Sequence, residues 1–228
     1  MSTGRDETAA GMIAPFSDRA EAGRLLAGRL AGMGLVDPVI LALPRGGVPV
    51  GAEIADALRA PLDLVIVRKI GAPTDPEVAV AAIAEGMARP QRSEPWRLER
   101  AGADDDYVER AAAAQLQEIA RRRRTYLQGR APLPLVGRTA VVVDDGVATG
   151  ATMRAALGVV RRRGPARVVV ALPVAPRDVV DALQGDVDEL VCLRQPVFFR
   201  AVGDWYEDFH QVSDDEVVSL LRSRQGGG

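Results

Sequence analysis

The chain has 228 residues, 47% hydrophobic and 26% charged, with a formal net charge of -2. This size supports a buried core and one large domain. So even a charge balance gives no global basic field, and nucleic acid is not an expected partner. The single cysteine, Cys192, rules out an intrachain disulfide and argues against a zinc cluster. No apolar run approaches the roughly 18 residues of a membrane span. The N-terminal MSTGRDETAA is polar and acidic, unlike a secretory leader, so the expected compartment is the cytoplasm.

Residues 1–16 read as a loose arm. Residues 17–33 place Ala22, Leu25, Leu26, Leu30 and Met33 at helical spacing, with Ser17 or Asp18 as cap. Val39–Leu43 is a short all-apolar run ending in PRGG, the pattern of a strand buried on both faces. A helix is predicted over Val48–Leu58 and a second buried strand over Leu62–Val67, ending at Arg68-Lys69. Lys69 is the only lysine in the chain; a GC-rich genome accounts for the arginines. Val78–Ile83 reads as a shorter strand. Residues 85–103 are charged, carry two prolines and show no period, and so read as a mobile excursion. The helix predicted over Asp104–Gln128 starts with three aspartates and has Arg121–Arg124 near its end, a polarity that complements the helix dipole. Those arginines read as a solvated helix end.

Then come the strand Thr139–Val143, a helix over Thr149–Arg162, the strand Arg167–Leu172, a helix over Pro176–Leu183 and the strand Glu189–Leu193. An aromatic-rich stretch, PVFFRAVGDWYEDFHQV, precedes a helix over Asp214–Arg224 and a disordered GGG tail. Buried strands alternating with helices predict an α/β fold with a mostly parallel sheet flanked by helices. The domain boundaries read as one domain over residues 1–228. Its core covers about 37–195, a flap and helix insertion about 85–130, and a small hood about 17–34 and 196–224.

The chemistry concentrates in VVVDDGVATGAT, residues 141 to 152. Asp144 and Asp145 stand at the carboxyl end of a buried strand, where open parallel sheets bind ligands. Gly146, Val147, Ala148, Thr149 and Gly150 form a small-residue turn into a helix that begins near Ala151 and Thr152. Unpaired amides at a helix N-terminus favour a phosphate, and Thr149 and Thr152 add hydroxyls. The carboxylates call instead for hydroxyls or a cation. A sugar phosphate with vicinal hydroxyls offers both, with Mg²⁺ sharing the acidic charge. A plain acidic turn capping a helix is the competing reading of the pair alone. The string is neither a Walker A loop nor a GxGxxG fingerprint.

This string resembles the signature of type I phosphoribosyltransferases for 5-phosphoribosyl-1-pyrophosphate (PRPP), and the resemblance extends over about residues 39 to 210. ALPRGGVPVGAEIADAL resembles the family's pyrophosphate loop, IVRKIGAP its Arg-Lys element, and FFRAVGDWYEDF the hood segment of purine-salvage members. It implies the family's fold and a Mg²⁺-dependent transfer of the 5-phosphoribosyl group from PRPP to a nitrogen acceptor, with release of pyrophosphate. It also implies roles for residues. Asp144 and Asp145 hold the ribose and, through water, the metal. Residues Gly146 to Thr152 hold the 5-phosphate. Arg45, Gly46, Gly47, Arg68 and Lys69 hold the pyrophosphate, in a turn that in this family often has a cis non-proline peptide. Residues 85–130 take the place of the catalytic flap, whose Arg89, Arg92 and Arg97 could reach the pyrophosphate.

Phe199, Asp204 and Trp205 fall on the acceptor side, where Phe198, Phe199, Trp205 and Tyr206 either stack on a heterocycle or seal the hood. The sequence departs from the purine-salvage pattern here: Arg200 falls near the family's aromatic, and the loop after Gly203 is shorter. Hypoxanthine or guanine specificity is therefore not implied. His210 reads as a satisfied hood histidine and Cys192 as a buried thiol. The expected partners are PRPP and a small acceptor of unstated identity, with a homodimer compatible and no membrane. A PRPP-sensing regulator of the same fold and a phosphatase-like activity are the competing functions. No nucleophile or base suited to the latter stands out.

Overall fold

The computed structural model describes residues 14–76 and 78–224. In chain order its elements are α1 (Arg19–Leu30), β1 (Pro38–Ala42), α2 (Gly47–Leu58), β2 (Leu62–Leu64), β3 (Val67–Gly71), β4 (Ala79–Ala84) and β5 (Gln91–Arg92). They continue with α3 (Pro95–Arg100), α4 (Asp105–Leu127), β6 (Thr139–Val143), α5 (Ala151–Arg162), β7 (Arg167–Val174), α6 (Arg177–Gln184), β8 (Glu189–Arg194) and α7 (Asp214–Arg222). Most of the arm and the GGG tail lie outside the described residues.

A five-stranded sheet in the order β2-β1-β6-β7-β8 forms the centre, and every neighbouring pair in it is parallel. Its inner strands are apolar at nearly every position because helices cover both faces. The period of two divides their side chains cleanly. Ile40, Ala42, Val141, Val143, Val169 and Ala171 face the cluster that includes Leu26, Leu30, Val50 and Ile54 of α1 and α2. Val39, Leu41, Val142, Val168, Val170 and Leu172 face Met153, Leu157 and Val160 of α5 and Leu183 of α6. Each fully buried valine or leucine of this kind stabilises the fold by about 1.5–3 kcal/mol. α1 lies close against α2 because Gly23 lacks a side chain: a Cβ there would come within 2.7 Å of the Val50 carbonyl.

A second, three-stranded antiparallel sheet, β3-β4-β5, packs against α4 and α5. This corrects the single strand predicted over Leu62–Val67. β2 pairs with β1 only through Leu64, and Val65 still donates to Ala42. The chain then crosses to the second sheet at Val67. Leu62 to Ile66 are all buried, so one run hides the change of sheet that follows it. Asp63 marks the spot. Its fully buried carboxylate accepts the amides of Leu64 and Leu133, both at 2.8 Å, and faces Arg123 at 3.7 Å and Arg130 at 3.8 Å.

Other differences have similarly local causes. Residues 85–103 are not without structure: they hold β5 and α3, elements of two and six residues, too short to show a period. Met87, Leu98 and Ala101 anchor them on the core. Arg123 does not join a solvated helix end. Its side chain is 12% exposed and binds Glu85 at 2.7 Å, whereas Arg121 and Arg122 pair with Glu118 on the surface. Phe16, placed in the arm, is buried and donates its amide to the Trp205 carbonyl. Leu25, assigned to the apolar face of the first helix, is exposed. α4 matches its prediction closely, with Asp104 capping the Tyr107 amide at 2.6 Å and Gln128 closing the helix in the left-handed conformation.

Candidate active site

The register of the central sheet brings the two turns singled out in the sequence together. Ala42 of β1 lies opposite Val143 of β6, and Leu43 donates to the Val143 carbonyl at 2.9 Å. The turns leaving these neighbouring strands therefore touch. A Cβ on Gly47 would come within 2.7 Å of the Val143 carbonyl and 2.9 Å of Asp144 Cα. A Cβ on Gly46 would overlap the Asp145 carboxylate. Only glycine at both positions lets one turn lie against the other. The Pro44–Arg45 peptide is cis, the non-proline form implied for this turn.

The turn after β6 presents a row of free donors. The Val147 amide donates to Val174 at 3.0 Å, while those of Ala148, Thr149 and Gly150 have no partner among the described residues. Gly150, at φ 78°, swings the chain into α5, so the helix begins at Ala151 rather than at Thr149. Amides aimed past a helix N-terminus make a natural anion cradle.

The two acids differ in their surroundings. Asp144 Oδ1 accepts the Asp145 amide at 2.9 Å, and no cation pairs with Asp144 among the described residues. Burial, and then the neighbouring Asp145 charge, push its carboxyl well above the usual carboxylate range. Burial also raises Asp145, against the pull of Arg19, whose Nε donates to Asp145 Oδ2 at 2.8 Å. The Tyr206 hydroxyl donates to the Asp145 carbonyl at 2.6 Å. Beside this acid lies a cavity of about 280 Å³ lined by Arg19, Arg45, Gly46, Asp145 and residues Phe209 to Val212.

Arg45 is held from outside the turn. Its Nη1 lies 3.5 Å from Asp214 Oδ1 at the start of α7, an oxygen that also accepts the Tyr126 hydroxyl at 2.7 Å. Burial and this contact push the Tyr126 phenol up to about 12. Arg68 and Lys69 sit within β3, beyond the carboxyl end of β2. Arg68 Nε donates to Gln115 of α4 at 2.9 Å, while Lys69 is exposed and unpaired among the described residues. In the flap, Arg92 pairs with Asp105 and Glu109, Arg97 lies over the Trp96 ring, and Arg89 is exposed.

Phe199, Asp204 and Trp205 line a different cavity, of about 440 Å³, together with Val197, Phe198 and Arg200. Asp204 is bound there by Arg200 at 3.0 Å. This cavity shares no lining residue with the one beside Asp145. His210 bridges Asp208 at 3.2 Å and Glu216 at 3.3 Å, which raise its imidazole, yet its ring is exposed. Cys192 is half-buried, and burial pushes its thiol up to about 11.

Sequence reasoning missed Arg19 and Phe209 at the acid pair. The signal for Arg19 was its spacing: residues 19, 22, 26 and 30 share one helical face, and the arginine lies on the buried side. Nothing local singled out Phe209 from the other aromatics.

A model of the phosphoribosyl transferase domain matches residues 19–207. The chain is 49% identical over 207 residues to "Putative phosphoribosyl transferase Rv0571c" of Mycobacterium tuberculosis strain H37Rv, covering 90% of this chain and 46% of that protein. It thus spans about half the length of the curated relatives it matches. The crystal structure of TT1426 from Thermus thermophilus superposes with a TM-score of 0.78 at 47% identity, covering 93% of this chain and 100% of that one. The sequence, the fold and the touching turns agree: the chain belongs to the phosphoribosyl transferase domain family.

Proposed function

We propose that this chain is a Mg²⁺-dependent phosphoribosyltransferase. It moves the 5-phosphoribosyl group of PRPP onto a nitrogen acceptor, a nucleobase or a small amine, and releases pyrophosphate. One observation carries this reading: a half-buried acid pair lies between an amide-lined turn and the Arg45-Gly46-Gly47 turn, at the carboxyl end of one parallel sheet.

Each feature suits one part of PRPP. The free amides of Ala148, Thr149 and Gly150, with the hydroxyls of Thr149 and Thr152, receive the 5-phosphate. Asp144 and Asp145 accept hydrogen bonds from the ribose hydroxyls. Arg45, the Gly46 amide and Lys69 face the pyrophosphate, with Arg68 steadying the strand that carries Lys69. The acceptor nitrogen donates its lone pair to C1 as the C1–oxygen pair departs with pyrophosphate, and the nitrogen's proton passes to the released pyrophosphate or to solvent. Positive charge on the ribose at that stage is stabilised by the carboxylates, so catalysis is mainly positioning and electrostatics.

The acids suit a metal in part. Among the described residues no third histidine, cysteine, aspartate or glutamate joins them, so ligand and water oxygens would complete an octahedral set. Two adjacent carboxylates with Arg19 as their one ion-pair partner among the described residues also leave a surplus of negative charge that a divalent cation would offset. Asp144 and Asp145 would hold the ion, directly or through water. When bound, Mg²⁺ supplies charge neutralisation of the departing pyrophosphate.

The acceptor has two candidate entrances. Adjacency to Asp145 favours the cavity with Phe209, while Phe199, Asp204 and Trp205 frame the other. The flap over 85–130 excludes water from the reacting centre. The test is pyrophosphate release from PRPP across a panel of nucleobases and amines. Release with at least one acceptor is expected. Tight PRPP binding with no release across the panel would contradict transfer and favour a sensing regulator.

A further inference from the structure

Arg19 is the first residue of α1, and its side chain is only 7% exposed. A guanidinium brings five donors and a full charge into the interior, and it stays there only when its partners are fixed. Those partners come from two remote stretches. Nε donates to Asp145 Oδ2 at 2.8 Å, and Nη1 donates to the His210 carbonyl at 2.9 Å. The guanidinium carbon lies 4.0 Å from the centre of the Phe209 ring, a cation–π contact.

Asp145 is confined from other directions too. Its carboxylate lies over Gly46, where any Cβ would overlap it, and its carbonyl accepts the Tyr206 hydroxyl. Asp144, next to it, has only the Asp145 amide.

We infer that Arg19 is a positioning residue of the acid pair: it fixes the Asp145 carboxylate over Gly46 and leaves Asp144 as the adaptable acid that meets the ligand. This deepens the PRPP reading and rests on it, since it gives the two acids different parts in holding the ribose. The charges agree. The groups around Asp145 are Asp144 beside it, Arg19 from α1, Arg45 from the turn after β1, and Tyr206 and His210 from the C-terminal segment. Arg19 is the one cation in hydrogen-bond contact with Asp145 among the described residues. Without it, the Asp145 carboxylate would lie over Gly46 with no cationic donor in hydrogen-bond contact among the described residues.

The test is a double-mutant cycle on the full chain, with Arg19→Met combined in turn with Asp145→Asn and with Asp144→Asn, read by PRPP calorimetry and by thermal melts of the same samples. Arg19→Met is expected to weaken PRPP binding at least about tenfold, the scale of a lost charged hydrogen bond. Its effect is expected to shrink in the Asp145→Asn background and to persist in the Asp144→Asn background, because residues that act through one another are not additive. Arg19→Lys is expected to restore part of the affinity, because an ammonium keeps the charge but lacks the planar fork that serves Asp145 and the His210 carbonyl together. If Arg19→Met does not fold, Arg19→Lys takes its place in the cycle. Undiminished PRPP affinity in the folded Arg19 variants overturns the inference, and so does an effect of equal size in the wild-type and Asp145→Asn backgrounds. Where the wild type binds no PRPP, the same coupling in the melts keeps the positioning role and removes the PRPP reading instead.

Discussion

On one side of Asp145 stand the turns after β1 and β6, each contiguous in sequence and brought into contact by strand pairing. On the other stand Arg19 and the segment from Tyr206 to Val212; hydrogen bonds from Arg19 span 126 residues of chain to Asp145 and 191 to His210. The first side is made of backbone: free amides, glycines that admit a close approach, and acids fixed at a strand end. The second is made of side chains that reach across the fold. Backbone sites write themselves into short strings, because the turn needs particular residues at particular offsets. Side-chain sites leave only scattered residues.

The largest expected effect comes from the backbone side. Asp144→Asn with Asp145→Asn should lower turnover by at least about a hundredfold, the scale of a lost electrostatic contact at a transition state. The variant should stay folded, as circular dichroism can verify, because asparagine keeps the side-chain oxygens that accept from Arg19 and from the Asp145 amide. Near-wild-type turnover would reduce the pair to a helix cap. The sign of the pH effect follows from the raised Asp144 carboxyl. The native state keeps this proton to higher pH than the unfolded chain does. The Asp144 contribution to stability is therefore intact below the ordinary carboxylate value of about 4 and is lost as pH rises towards its folded value. Thermal melts of Asp144→Asn should lose that part of the decline.

Gly46→Ala sharpens the comparison by disturbing the contact between the turns. The new methyl must displace the Asp145 carboxylate, at a cost of about 1–3 kcal/mol in stability, with a parallel loss of PRPP affinity. Unchanged melting and binding would show that the turns are looser than their geometry indicates.

Lys69→Met is expected to weaken PRPP binding by about 1–3 kcal/mol, the scale of a lost charged hydrogen bond. Its exposed position predicts a stability change within about 0.5 kcal/mol. Lost stability with intact affinity would make Lys69 structural.

The smallest effect falls on the side-chain region. Phe209→Leu should raise the acceptor KM by severalfold, in keeping with aromatic contacts of about 0.5–1.5 kcal/mol, whereas Trp205→Leu should not. The reverse pattern would move the acceptor to the cavity framed by Phe199 and Trp205.

The sequence made the sheet legible because β1, β6 and β7 are apolar on both faces and end in turn residues. It hid the second sheet because Leu62–Val67 is apolar apart from Asp63, while the hydrogen-bond partners change from β1 to β4 within that run. The acid pair and its glycines were readable as a string. The separation of the cavity lined by Phe199 and Trp205 from that lined by Phe209 was not, since all three aromatics lie within a dozen residues on one aromatic-rich stretch. Arg19 lay on the buried face of a predicted helix, a charge among apolar positions, and its partners were too distant for spacing to reveal.

Calorimetry with PRPP, in the presence and absence of Mg²⁺, tests the central claim most directly. The account predicts binding to the wild-type chain, strengthened by Mg²⁺ and lost when Asp144 and Asp145 are both asparagine. No binding by the wild-type chain under either condition would contradict it.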